Sequence, residues 1–184
     1  MAATSSPAAL GWPAARFDLP GVDGRRHTLE GARGPNGLLV MFICNHCPYV
    51  RAVAAKIARD AEALARLGIG SIAIMSNDAS AYPEDSFDNM KTFAAEHGFG
   101  FPYVIDESQD VARAYDAVCT PDFFGFDRDL ALAYHGRLDA SGRKNDSDAA
   151  RELFEAMSAV ARGGRAPLSQ TPSIGCSIKW RAPS

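Results

Sequence analysis

Two cysteines separated by two residues, Cys44 and Cys47, are the side chains whose spacing is best suited to redox chemistry. Thiols at this spacing can cycle between a dithiol and a disulfide. They follow an apolar run at 38–43 and precede a segment of helical periodicity at 50–67, which predicts a strand-to-helix junction. We expect Cys44 at the helix N-cap, where free N–H groups favour a thiolate, and Cys47 one turn further in. Cys44 would then attack a partner disulfide and Cys47 would resolve the mixed disulfide.

His46 lies between the two cysteines. A protonated imidazole there would stabilise the thiolate and make the pair more oxidising. The alternative is a solvated side chain without an electrostatic role. For the cysteines themselves, the alternative to redox chemistry is a pair of structural thiols in the core.

A second cluster, Cys119-Thr120-Pro121, precedes a run of apolar residues. A proline at the start of a strand is either an edge-strand residue or a cis proline in a tight turn, and the sequence leaves both open. Three interpretations of Cys119 also stay open: a third redox thiol, a metal ligand beside the Cys-x-x-Cys motif, or a buried core thiol.

The fourth cysteine, Cys176, lies in the C-terminal segment between Ile174, Ile178 and Trp180. Apolar residues at alternating positions indicate a strand-like segment that packs on the rest of the chain. Cys176 could therefore anchor this segment by packing, or reach back as an additional resolving thiol, within one chain or across a dimer.

The hydrophobic pattern predicts one α/β domain. Strands are expected at 38–43, 69–75, 102–105, 122–127 and 130–134, and helices at 50–67, 83–97, 108–115 and 147–162. Turn residues at 20–24 predict a preceding hairpin. Early alternation of strands and helices gives parallel strands, and the late strand pair adds antiparallel ones, so we expect a central mixed sheet flanked by helices. Residues 1–13 are predicted to be a flexible N-terminal arm, 14–162 the domain, and 163–184 a C-terminal tail packed on it.

Composition excludes several other functions. The chain has 184 residues and a net charge of −3, which gives no basic surface for nucleic acid. No apolar run approaches the length of a membrane span, and the N-terminus does not have the pattern of a secretory signal. We therefore expect a cytoplasmic protein without nucleic-acid or membrane partners, and a homodimer is one possible assembly.

Three regions together resemble the thioredoxin superfamily, and most closely its peroxiredoxin-like branch of alkyl hydroperoxide reductase/thiol-specific antioxidant type. They are residues 17–24, similar to that branch's N-terminal hairpin, residues 44–48, and Thr120-Pro121. The resemblance implies a thioredoxin-like fold and antioxidant activity, with Cys44 attacking and Cys47 resolving. It also implies that Pro121, in cis, faces the disulfide and that the backbone of Thr120 pairs with an extended substrate. Expected partners are protein or small-molecule disulfides and a thiol reductant, with no cofactor.

The sequence departs from the peroxiredoxin pattern in one important respect. Members of that branch carry a Thr or Ser three residues before the peroxidatic cysteine and a Pro seven before it. Met41 lies three residues before Cys44, and Gly37 lies seven before it. Cys44 lies three residues before Cys47, and Val40 lies seven before it. Thiol–disulfide exchange is therefore the favoured function. The alternatives are a peroxide reductase, or a non-enzymatic protein that binds Zn²⁺ or Cu(I).

The buried aspartate of thioredoxins is also missing. That family carries it six residues before the first cysteine, where this chain has Leu38. A proton acceptor for Cys47 would have to come from elsewhere in the fold.

Overall fold

The computed structural model describes residues 2–6, 8–144 and 146–182. Within these residues there are ten strands, five α-helices and two short 3₁₀ helices. The strands are β1 Ala2–Thr4, β2 Asp18–Pro20, β3 Arg26–Thr28, β4 Gly37–Phe42, β5 Ile69–Met75, β6 Tyr103–Ile105, β7 Cys119–Thr120, β8 Asp122–Phe126, β9 Leu132–Gly136 and β10 Ile174–Ser177. The α-helices are α1 Leu29–Ala32, α2 Pro48–Ala65, α3 Phe87–Glu96, α4 Asp110–Ala114 and α5 Glu152–Ala161, and the 3₁₀ helices are Pro83–Asp85 and Gly142–Lys144.

A five-stranded mixed sheet in the order β6-β5-β4-β8-β9 forms the centre of the fold. Strands β4, β5 and β6 run parallel, while β8 and β9 pair antiparallel. The predicted mixed sheet flanked by helices is thus confirmed. The parallel strands arise because α2 and α3 carry the chain back across the sheet, as βαβ connections require.

The central strand β4 is buried along its whole length and supplies both faces of the core. Leu39 and Met41 point to the face covered by α2, α3 and α5, whereas Leu38, Val40 and Phe42 point to the opposite face. The alternation follows from the two-residue period of a strand. Because both faces of β4 are buried, its residues are apolar without interruption.

The N-terminal hairpin is also confirmed, since β2 and β3 pair antiparallel with Leu19 opposite His27. The flexible arm predicted over residues 1–13 is not what the structure shows. Residues 2–4 form β1, which pairs with β10 in the register Ala2 to Cys176. This pairing satisfies backbone groups on the outer side of β10 that would otherwise lie at an open sheet edge.

A separate three-stranded sheet, in the order β1-β10-β7, joins both chain termini to the central domain. The expected C-terminal strand is therefore present, and it lies between β1 and β7. The exact boundaries at residues 14, 162 and 163 stay predictions.

Two helices differ from the sequence-based expectation. The predicted helix at 83–97 is interrupted: a 3₁₀ turn ends at Asp85, and Ser86 then caps α3 by accepting a hydrogen bond from the Asn89 N–H. The last helix begins at Glu152 rather than near Ser147. The interruption at Ser86 matters for the site because it buries Asp85 completely.

None of the helices within residues 2–6, 8–144 and 146–182 combines the length and the apolar character that a membrane span requires.

Candidate active site

The Cys-x-x-Cys motif lies at the junction between β4 and α2, as predicted, but the N-cap of the helix lies three residues later than expected. Cys47, not Cys44, is the N-cap of α2, and Pro48 takes the first helical position. Proline fits there because its missing N–H would have no partner within the helix. The helical ladder starts with the hydrogen bond from the Arg51 N–H to the Cys47 carbonyl, at 2.9 Å.

Several neighbours favour the thiolate form of Cys47. The Cys44 thiol has the largest effect on its pKa, and the N–H of Val50 and both the thiol and the N–H of Cys176 add to it. Together they outweigh the cost of burial and lower the pKa of Cys47 to about 5. When Cys47 is protonated, its sulfur instead donates to the Thr120 carbonyl, at 3.1 Å.

Cys44 has the opposite electrostatic setting, although it is equally buried. Its hydrogen bond to Cys47, its burial and the nearby Asp85 carboxylate raise its pKa well above the ordinary value. Its sulfur also lies 3.4 Å from the hydroxyl of Thr120. The sequence predicts that Cys44 ionises more easily than Cys47. The directions of the two pKa shifts favour Cys47 instead.

The Thr120–Pro121 bond is cis, so the cis alternative is the one found. This loop faces the cysteines because Phe42, the last residue of β4, pairs with Asp122 at the start of β8. Thr120 contacts the Cys44 sulfur through its hydroxyl and the Cys47 sulfur through its carbonyl.

Asp85 is a site residue that the sequence analysis did not single out. Its carboxylate is completely buried and anchors the loop between the cysteines. One oxygen accepts the backbone N–H groups of Asn45, at 2.8 Å, and of His46, at 3.3 Å. The other accepts the Asn77 side chain at 2.7 Å and lies 2.7 Å from the His46 ring nitrogen Nδ1.

His46 is therefore paired with a carboxylate rather than directed at a cysteine. Its ring also stacks on Tyr82, with centroids 5.7 Å apart and planes 6° from parallel. The side chain is a quarter exposed, which makes it the solvent-facing part of the loop. A positive charge on this ring would be balanced first by Asp85.

Cys44, His46 and Asp85 bring one possible ligand atom each within 4.8 Å of one another. The fit to a metal is poor, because the Asp85 oxygens already bind the two backbone N–H groups, Asn77 and His46. A Zn²⁺ or Cu(I) ion would have to displace these bonds.

The remaining cysteines have different settings. Cys119 is fully buried, and burial raises its pKa well above the ordinary value, which favours the core interpretation. Cys176 is half-buried and contacts the sulfur of Cys47. Burial and this hydrogen bond raise the pKa of Cys176 to about 11. Of the two, only Cys176 adjoins the Cys-x-x-Cys pair through a hydrogen bond.

Comparison with known proteins decides the family. The AhpC/TSA family matches residues 10–135, which is more than half of the chain. The chain belongs to the AhpC/TSA family. Membership confirms the resemblance inferred from the sequence and indicates an oxidoreductase of thioredoxin fold. No functionally curated protein matches the chain.

Two solved structures are similar over nearly the whole chain. An uncharacterized conserved protein from Geobacillus kaustophilus is 46% identical, with a TM-score of 0.95, and the match covers 100% of this chain and 98% of that one. A hypothetical protein from Sinorhizobium meliloti is 42% identical, with a TM-score of 0.93, and the match covers 98% and 99%.

A more distant structure shares the fold. Peroxidoxin BcpB from Mycobacterium tuberculosis is 16% identical, with a TM-score of 0.61, over 85% of this chain and 98% of that one.

The first prediction concerns the Cys47 thiolate. Thiolate absorbance of the reduced protein should titrate with a midpoint near pH 5, and Cys47→Ser should remove that step while Cys119→Ser leaves it. Because folding lowers the pKa of Cys47, its thiolate stabilises the folded protein fully above the unfolded pKa, near 9. This stabilisation is lost as the pH falls through 5. A first thiol titrating near pH 9 in the folded protein would contradict the assignment.

The second prediction concerns Asp85. In a Cys47→Ser background, Asp85→Asn should shift the pH profile of Cys44 alkylation down by about one pH unit, because a nearby negative charge is removed. Alkylation located by mass spectrometry measures this. Glu84→Gln, one residue earlier on the same turn, is the matched control and should leave the profile in place. Identical profiles for both variants would show that Asp85 does not act on Cys44.

Proposed function

We propose that this protein is a thiol–disulfide oxidoreductase in which Cys44 and Cys47 form the redox pair. The observation that carries the proposal is the Cys47 sulfur at the N-cap of α2, where the neighbouring Cys44 thiol and the backbone of Val50 lower its pKa. A thiolate stabilised in this way is both a nucleophile and a good leaving group.

The order of attack in this proposal reverses the one implied by the resemblance. The Cys47 thiolate attacks a disulfide RSSR, forms the mixed disulfide Cys47–S–S–R and releases RS⁻. Cys44 then loses its proton, attacks the Cys47 sulfur and releases the second RS⁻. The result is a Cys44–Cys47 disulfide and two RSH, and an external dithiol reductant restores the pair.

Neighbouring groups support specific steps in this scheme. The Thr120 hydroxyl lies 3.4 Å from the Cys44 sulfur and can hydrogen-bond with it, and the Thr120 carbonyl accepts a hydrogen bond from the protonated Cys47 thiol at 3.1 Å. Pro121 has no N–H to donate, and the Thr120 carbonyl before it faces the Cys47 sulfur. Asp85 and His46 each have an atom within 4.8 Å of the Cys44 sulfur, a distance over which one bridging water could carry the Cys44 proton.

Cys176 has a secondary role in the proposal. Its thiol is hydrogen-bonded to the Cys47 sulfur, so it can stabilise the thiolate or resolve a mixed disulfide when Cys44 is absent. Cys119, buried with a raised pKa, has no redox step here. A cytoplasmic location and a homodimer stay predictions from the sequence.

Trapping of mixed disulfides tests the order of attack. With an excess of a small disulfide, Cys47→Ser should lose turnover by at least about a hundredfold, because its nucleophile is removed. Cys44→Ser should form a mixed disulfide at Cys47, and the double variant Cys44→Ser with Cys176→Ser should accumulate more of it. Peptide mapping by mass spectrometry locates the adduct. If Cys47→Ser forms an adduct on Cys44 while Cys44→Ser forms none on Cys47, then Cys44 is the attacking thiol. If the wild type turns over no disulfide, the proposed function is wrong.

Peroxide reduction is the second candidate, favoured by AhpC/TSA membership and by the low pKa of Cys47. The Cys47 thiolate would attack one peroxide oxygen to give a sulfenic acid and water, and Cys44 would condense with it, releasing a second water.

Stopped-flow measurement with hydrogen peroxide separates the two functions. We expect Cys47 to react no faster than its pKa predicts for a free thiol, because Cys44 stands where peroxidases of this family have an activating hydroxyl. A second-order rate more than about a hundredfold above that of a free thiolate would favour the peroxidase. Cys47→Ser is the control that assigns any fast phase to this sulfur.

A further inference from the structure

The thiols around Cys47 differ in their access to solvent. Cys44 and Cys47 are 1% and 0% exposed, whereas Cys176, on β10, is only half-buried. Cys176 packs against the core cluster that contains the other two cysteines. It pairs with Thr120, the residue whose carbonyl lies 3.1 Å from the Cys47 sulfur. Cys47 therefore has one thiol neighbour deep in the core and another that is partly open to solvent.

These two neighbours also differ in the charge beside them. The Asp85 carboxylate adds to the raised pKa of Cys44. Beside Cys176 the charge is positive, because the Lys179 ammonium lies close enough to oppose the rise in the pKa of that thiol. Lys179 is held on β10 by a hydrogen bond to the Ser177 carbonyl, at 2.7 Å. A thiolate from outside is negatively charged, so it is repelled beside the Cys44 sulfur and attracted beside the Cys176 sulfur.

The restoration of the reduced pair also depends on which sulfur leaves. When a thiolate attacks one sulfur of a disulfide, the other sulfur is expelled, and a less basic sulfur leaves faster. Cys47, whose pKa is lowered to about 5, is the best leaving group of the three. A reductant therefore acts fastest on the sulfur bonded to Cys47. Of the two thiols that can hold this position, Cys176 has the better access and the more favourable charge.

We propose that the external reductant enters at Cys176, after the disulfide has moved from Cys44–Cys47 to Cys47–Cys176. Cys176 is then a third catalytic thiol, which connects the buried pair to solvent. This inference rests on the proposed disulfide exchange and assigns the step that restores the reduced pair.

The proposed sequence has three exchanges. Cys176 loses its proton and attacks the Cys47 sulfur, and Cys44 leaves and takes up a proton. A thiolate of an external dithiol then attacks the Cys176 sulfur, and Cys47 leaves as its thiolate. The second thiol of the reductant attacks its own sulfur in the mixed disulfide and releases Cys176. The reductant ends as a cyclic disulfide, and the protein has gained its two electrons.

A monothiol locates the sulfur that is attacked. The wild type is oxidised to the Cys44–Cys47 disulfide, mixed with an equimolar amount of 2-mercaptoethanol and quenched in acid, and the adduct is mapped by mass spectrometry. We expect the adduct on Cys176, because this thiol becomes open to attack once it is bonded to Cys47. An adduct on Cys44 or Cys47, with Cys176 free, would overturn the proposal.

The rate of reduction gives a second readout, which decides if no adduct survives the quench. Cys176→Ser should slow the reduction of the Cys44–Cys47 disulfide by dithiothreitol by at least about tenfold, while Cys119→Ser, the matched control on β7, should stay within about twofold. Equal rates in the wild type and Cys176→Ser would refute entry at Cys176. An oxidised wild type without the Cys44–Cys47 disulfide would instead refute the proposed function itself.

Substitution of Lys179 separates entry at Cys176 from an effect of Cys176 on the acidity of Cys47. Lys179→Gln should slow the reduction of the otherwise wild-type protein severalfold, because it removes the charge that attracts the thiolate. In the Cys176→Ser background the same change should have no effect. Lys91→Gln, at an exposed lysine of α3, is the control for loss of a positive charge. Equal slowing by Lys179→Gln in both backgrounds would contradict entry at Cys176.

Discussion

The sulfur of Cys47 is the point where separate parts of the chain must meet. A buried thiolate is costly unless donors replace the water it loses. Here the donors are the Val50 N–H, from the first turn of α2, the Cys44 thiol, from the loop after β4, and Cys176, from β10. They lie on different elements, so the β4–α2 junction and the docked tail depend on one another. Loss of any one would leave the others around an incompletely solvated charge.

The two thiols of the motif differ because the fold gives them opposite electrostatic neighbours. Cys47 faces the positive end of a helix of eighteen residues, whereas Cys44 lies near the buried carboxylate of Asp85. Asp85 in turn accepts hydrogen bonds from two backbone N–H groups and from Asn77. The side chain that fixes the loop geometry therefore also adds to the rise in the pKa of Cys44, after the hydrogen bond to Cys47 and burial. Geometry and electrostatics at this site cannot be changed independently.

The sequence predicted the parts of this arrangement that local patterns determine. The apolar run ending in Cys44 and the helical period after Cys47 placed the motif correctly, but the exact N-cap depended on how Pro48 fits the first turn. The role of Asp85 was not visible, because its burial follows from a tertiary contact with a loop some forty residues away. The arm at residues 2–4 was misjudged for the same reason: the partner of Ala2 is Cys176, at the other end of the chain.

The docked tail resolves two demands that conflict at this sheet edge. An uncovered β7 would offer unpaired backbone groups to any extended chain, including other copies of the protein. Covering it with β10, and β10 with β1, removes that hazard, yet it also removes the edge that a polypeptide substrate would need. Gly175 lies at the closest approach of the two strands, where any side chain would collide with the Thr120 carbonyl. Because β10 also brings Cys176 close to the Cys47 sulfur, closing the edge helps to lower the pKa of Cys47.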